Sequence, residues 1–222
     1  MHAVLLDFNG TLFFDSSLHL EAWSKIYQVL HPDSSAAPDA ALFCGPRNEV
    51  ILQSIAPWLT AAERARYSEE KEELYRTACR TNSQITHLVA GVEDFLEQLQ
   101  CRGIPCILVS ASIEKNIDFF FEIFGLGRWL KREQVVFDDG SYEDKRQMYL
   151  EAAHRLQVEI SDCLIVEDSP SSVGHAAQLS PGCIVAVGHT APAAQLLELG
   201  AQHYIRDFTE FDFAWLTHRK IP

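Results

Sequence analysis

Val4-Leu5-Leu6-Asp7-Phe8-Asn9-Gly10-Thr11-Leu12 is the stretch on which the fold turns. An apolar run stops at a carboxylate, and Asn-Gly then demands a sharp backbone turn. A buried parallel strand ending in Asp sets that side chain at the carboxyl edge of a sheet, where the ligands of open α/β sheets sit. The pattern recurs down the chain. Ile107-Leu108-Val109 ends at Ser110-Ala111-Ser112, Leu164-Ile165-Val166 at Glu167-Asp168-Ser169, and Ile184-Val185-Ala186-Val187 at Gly188. Segments of helical length separate these runs, which predicts an α/β fold with a doubly wound parallel sheet. Parallel neighbours share one carboxyl edge, so Asp7, Ser110, Glu167 and Asp168 are expected to converge there.

Composition narrows the chemistry. The 222 residues carry 18 Lys and Arg against 31 Asp and Glu, a net charge of −13. That balance argues against nucleic acid or an anionic membrane as partner. An anionic substrate would be repelled at long range, so its site must hold local positive charge. The six cysteines lack C-x-x-C spacing and zinc-like His partners, and several lie in or beside apolar runs. They read as small buried hydrophobes in a reducing cytoplasm. No basic signal-peptide start is present, and no apolar run approaches the length of a membrane span.

Between the first two strands the pattern changes. Leu20, Trp23, Ile26, Tyr27 and Leu30 follow helical spacing, stopped by His31-Pro32. Gly45-Pro46 is expected to open a second helix through Val50, Ile51 and Ile55. Thr60-Ala61-Ala62-Glu63 is a capping-box pattern that starts a long charged helix reaching about Arg80. No strand pattern occurs between Ser16 and Ser83, so residues 16–85 are predicted to form an inserted helical cap, with residues 1–15 and 86–222 as the α/β core. In the core, helices are expected from Gly91 to Gly103, from Glu114 to Phe124 and from Lys145 to Leu156, with strands at Val135–Phe137 and around Tyr204-Ile205. Ser169 and Pro170 read as the N-cap and first position of another helix.

Each feature also has a plain structural reading. Glu167-Asp168-Ser169-Pro170 suits any helix N-terminus, where acidic groups meet the dipole. Ser110 reads equally as a turn residue, and Lys145 as surface charge.

Taken in order, the motifs resemble those of the haloacid dehalogenase superfamily, and within it the β-phosphoglucomutase-like group. Asp7-Phe8-Asn9-Gly10-Thr11 is similar to the superfamily's Asp-x-Asp-Gly-Thr, Val109-Ser110-Ala111-Ser112 to its second motif, Lys145 to its lone lysine, and Val166-Glu167-Asp168-Ser169-Pro170 to its fourth. The resemblance implies Mg²⁺-dependent phosphoryl transfer on a small phosphorylated metabolite, with Asp7 as nucleophile. Asp7, Asp168 and the main-chain carbonyl of Asn9 would hold the metal, with Glu167 as a direct or water-mediated ligand. Ser110 would bind a phosphoryl oxygen, and Lys145 would neutralise the transferring group. Ala111 and Asn116 join the substrate-binding set. In the cap, Asp15-x-x-x-His19-x-x-x-Trp23, Arg47 and Lys71 are similar to segments of the group that touch substrate, so His19, Arg47 and Lys71 are candidate contacts.

Two departures stand out. Lys145 is followed by Arg146-Gln147-Met148, where relatives have Lys-Pro-x-Pro. Asn9 replaces the second Asp, which in relatives protonates the leaving oxygen and activates the incoming nucleophile. Three explanations are open: a substrate whose leaving group needs little protonation, another acid such as His19, or phosphate binding without turnover. A phosphatase is the leading expectation; a phosphosugar mutase, with Arg47 gripping a second phosphate, and a catalytically silent phosphate-binding protein are the alternatives.

Overall fold

The computed structural model describes residues 1–34, 40–43, 47–188 and 190–217. Chain contacts divide it into two compact units, Met1–Phe14 with His87–Pro222, and Asp15–Thr86. Asp15 belongs to the helical unit, where its carboxylate accepts from the Tyr75 hydroxyl at 2.5 Å and lies 3.1 Å from His19 Nε2.

The larger unit is built on six parallel strands: β1 (Ala3–Leu6), β2 (Cys106–Ser110), β3 (Val135–Phe137), β4 (Cys163–Glu167), β5 (Cys183–Val187) and β6 (His203–Ile205). Their order is β3-β2-β1-β4-β5-β6, the doubly wound arrangement. Winding runs outward from β1 in one direction, then reverses to lay β4 on its other side, so the switch point lies where β1 meets β4. Strands buried on both faces read as continuous Val/Ile/Leu runs, and every residue of β1, β2, β4 and β5 is buried.

The helices in chain order are α1 (Ser16–Leu30), α2 (Asn48–Ile55) and α3 (Ala61–Thr81) in the smaller unit. In the larger unit they are α4 (Val92–Cys101), α5 (Glu114–Phe124), α6 (Lys145–Arg155), α7 (Pro170–Gln178) and α8 (Ala193–Glu198). Period-two alternation assigns the strand residues to faces. Leu5, Ile107, Val109, Ile165 and Ile184 meet Met148, Tyr149 and Ala152 of α6, Val173 and Ala176 of α7, and Leu196 of α8 in one apolar cluster. At the end of β1, Phe8 stacks on Phe120 of α5 at 4.3 Å and lies 5.7 Å from Phe124. The aromatic run of α5 is therefore core packing.

In the smaller unit, α1 and α2 share an apolar cluster of Trp23, Ile26, Ile51, Leu52 and Ile55, with Phe43 stacked on Trp23 at 5.5 Å. The Thr60–Glu63 capping box is formed at the start of α3. The Gly45-Pro46 helix start lies outside the described residues, as does Cys44; α2 begins at Asn48. Cys79, Cys106, Cys163 and Cys183 are buried thiols, whereas Cys101 is exposed. Among the described residues, no helix is long and apolar enough to cross a membrane.

Candidate active site

Register builds the site. Leu5 pairs with Ile165 and Leu6 with Val166, so Asp7 lies beside Glu167 across the β1–β4 junction. The Asp7 amide donates to the Val166 carbonyl at 3.1 Å, carrying the pairing one residue past the strand. Asp7 and Glu167 follow Leu5 and Ile165 at a spacing of two, so both carboxylates point to the face covered by α6. Two like charges side by side on parallel strands repel, and the fold answers with Lys145 at the first position of α6. Its ammonium donates to Asp7 Oδ1 at 2.5 Å and to Glu167 Oε1. Burial alone would lower the Lys145 pKa; the two carboxylates outweigh it and hold the ammonium protonated.

Glu167 is wholly enclosed and has three donors. Besides Lys145, the Tyr149 hydroxyl reaches Oε1 at 2.5 Å, and the Asp168 amide donates to Oε2 at 3.0 Å. Burial, then the Glu167 charge, pushes the Tyr149 phenol well above its ordinary range and keeps it a donor. Asp168 accepts from the Thr190 hydroxyl through Oδ2. Gly10 sits at φ +77°, and a Cβ there would overlap the Asp168 carboxylate. The glycine that lets the chain turn after Asn9 thus also makes room for the acid of the fourth motif.

Asp7, Glu167 and Asp168 are all buried, and each offers a carboxylate oxygen within 4.8 Å of the others. Three acids face one ammonium. Burial first, then the neighbouring Glu167, raises the Asp7 carboxyl to about 7 although Lys145 pulls it down. Burial and the charges of Asp7 and Glu167 push Asp168 well above the usual carboxylate range. Asp7 Oδ2 is buried without a hydrogen-bond partner. A surplus of hard oxygen donors with one left unsatisfied fits a divalent cation.

Beside this cluster the second motif engages Asn9. The Ser112 hydroxyl donates to Asn9 Oδ1 at 2.7 Å and the Ser110 hydroxyl to the same atom at 3.4 Å, while the Ser112 amide donates to Ser110 Oγ. Ser110 is buried and turned toward Asn9; Ala111 is exposed, and Asn116 is buried in the first turn of α5. Tyr149 and Thr190 carry no motif, and Ser112 closes the second motif without a role assigned to it from sequence. A lone hydroxyl has no periodicity to betray it, though the position of Tyr149 one turn after Lys145 was available as a signal.

His19, Arg47 and Lys71 belong to the smaller unit. Lys71 is buried there, its ammonium 2.8 Å from His19 Nδ1 and 2.9 Å from Glu72 Oε1. With Asp15 on Nε2 and Lys71 on Nδ1, both ring nitrogens of His19 are engaged within its own unit. Arg47 is exposed at the N-cap of α2.

The doubly wound sheet thus carries an acidic cluster and a buried lysine at its switch point. The haloacid dehalogenase-like hydrolase family matches residues 1–179, and the chain belongs to that family. A haloacid dehalogenase hydrolase of family IA, variant 3, from Entamoeba histolytica is 27% identical, covers 97% of both chains and superposes with a TM-score of 0.89. Two more distant structures share the fold. One is β-phosphoglucomutase from Clostridium difficile, at 18% identity, TM-score 0.74 and coverage of 98% and 96%. The other is a mutant of CbbY from Rhodobacter sphaeroides in complex with xylulose-(1,5)bisphosphate, at 17% identity, TM-score 0.79 and coverage of 97% and 99%. No curated protein matches the sequence.

Proposed function

We propose that the chain is a Mg²⁺-dependent phosphatase of a small phosphorylated metabolite, working through an aspartyl-phosphate on Asp7. The observation that carries this reading is the cluster at the switch point: Asp7 held by Lys145 at 2.5 Å, with Glu167 and Asp168 within reach of one cation. Asp7, Asp168 and the Asn9 carbonyl would hold Mg²⁺, which prefers oxygen ligands and supplies charge neutralisation where two anions must meet. Glu167, already bound by three donors, serves best as the anchor of Lys145 and a water-mediated partner of the metal.

A carboxylate oxygen of Asp7 forms a bond to phosphorus as the bond to the leaving oxygen breaks. Lys145 offsets the charge of the transferring group. Water then attacks the phosphoaspartate, releasing phosphate and restoring the carboxylate. Asn9 has no proton to give, so an alkoxide leaving group must draw its proton from solvent. That favours esters or anhydrides whose leaving oxygen departs as a stable anion, such as anomeric or acyl phosphates. In this proposal the helical unit has the role of cap, with His19, Arg47 and Lys71 as its candidate substrate contacts. The buried thiols suit a reducing compartment such as the cytoplasm.

With Mg²⁺ and acetyl phosphate, intact mass is expected to show a transient phosphate adduct that Asp7→Ala lacks, and a panel of phosphorylated metabolites should release phosphate. Neither adduct nor release, alongside measurable phosphate binding, would establish the silent binding protein instead.

A further inference from the structure

We propose that Tyr149 is a positioning residue that aims Lys145, acting through the carboxylate oxygen the two share on Glu167. Lys145 opens α6, where the Asp144 cap on the Arg146 amide fixes the backbone but leaves the long lysine stem to be held by its side-chain partners. A lysine stem has many rotamers, and holding its ammonium in one place needs fixed partners. Glu167 is one of those partners, yet a glutamate has three torsions of its own. Tyr149 removes that freedom. It lies four residues after Lys145 and so on the same helix face. Its ring is buried in the α6 cluster beneath the sheet, and its hydroxyl reaches Glu167 Oε1 at 2.5 Å, the oxygen that receives Lys145. The Asp168 amide fixes the other oxygen. A rigid aromatic, held by the core, thereby pins the acid that pins the amine. The effect on turnover rests on the phosphatase reading; the effect on Lys145 itself does not.

The test uses the full chain and Tyr149→Phe, which keeps the ring and deletes the hydroxyl. Acetylation of Lys145 by an N-hydroxysuccinimide ester, followed by peptide mass spectrometry, reads how firmly the amine is held. Alkylation of Cys163, buried on β4, reads general opening of the core. Losing a charge-assisted hydrogen bond should speed Lys145 acetylation roughly tenfold while Cys163 stays protected. kcat on a phosphate ester should fall roughly tenfold with KM within about twofold. Unchanged Lys145 labelling, equal acceleration at Cys163, or faster labelling with unaltered kcat would each overturn the proposal. If the unmodified chain turns nothing over, the phosphatase reading falls, and the labelling still decides whether Tyr149 holds Lys145.

Discussion

Restoring an acid at position 9 measures what the asparagine withholds. General acid–base catalysis contributes about 10²–10⁴-fold, so Asn9→Asp should speed hydrolysis of an alkyl phosphate substantially. The structure trims that figure. Asn9 Oδ1 accepts a hydroxyl from Ser112 at 2.7 Å and a longer one from Ser110 at 3.4 Å, and a carboxylate in its place would accept the same pair. One well-formed hydrogen bond to a charged group is worth about 1.5 kcal/mol or more, which favours the ionised form over the proton-donating form by roughly tenfold. The expected gain is therefore roughly 10- to 10³-fold on an alkyl phosphate. It should be far smaller on an aryl phosphate, whose leaving oxygen needs no proton. Steady-state phosphate release from both substrates, before and after the substitution, gives the answer. An equal gain on the two esters, or none on the alkyl ester while Mg²⁺ and phosphate still bind, would refute the idea that a missing proton donor limits this site.

Mg²⁺ at about 100 times its Kd should stabilise the folded chain by about 2.7 kcal/mol, and Asp168→Asn should abolish most of the rise in Tm; an equal rise in the variant would remove Asp168 from the ligand set. In the helical unit, burial would raise Glu72, but Lys71, His19 and a hydrogen bond from Asn48 at 2.7 Å outweigh it and hold the carboxyl at about 2 against an ordinary 4.5. A depressed folded pKa stabilises above the unfolded value and is lost as pH falls through the folded one. Glu72→Gln should thus cost about 3 kcal/mol at pH 7, a difference that shrinks between roughly pH 4.5 and pH 2 in urea melts. A pH-independent difference would show that packing, not charge, sets the cost.

The fold was open to reading because its signals are local and repeated. Apolar runs that break at Asp7, Ser110 and Glu167 mark parallel strands, and alternation along β1 and β4 is enough to turn Asp7 and Glu167 to one face. Thr60–Glu63 and Ser169-Pro170 mark helix starts through chemistry confined to a single turn. What holds the acids in place is a different matter. Thr190 reaches Asp168 from a loop 22 residues on, and Ser112 meets Asn9 across 103 residues. No spacing rule links such pairs, because the sheet brings them together only after it has formed. His19 shows the same limit: the Asp15 and Lys71 that engage its two nitrogens meet it only through the tertiary packing of α1 on α3.

One modest contact has a wider consequence. The Val89 amide donates to the Leu12 carbonyl at 2.9 Å, so the chain leaves and re-enters the sheet-bearing unit at adjoining points. That doorway has a fixed width whatever is strung between its posts, and the closure entropy of a longer insertion grows only slowly with length. Segments of other sizes and shapes could hang there without disturbing the pairing of β1 with its neighbours. In chain closure, the inserted stretch is thereby uncoupled from the strand pairing that builds the acidic edge.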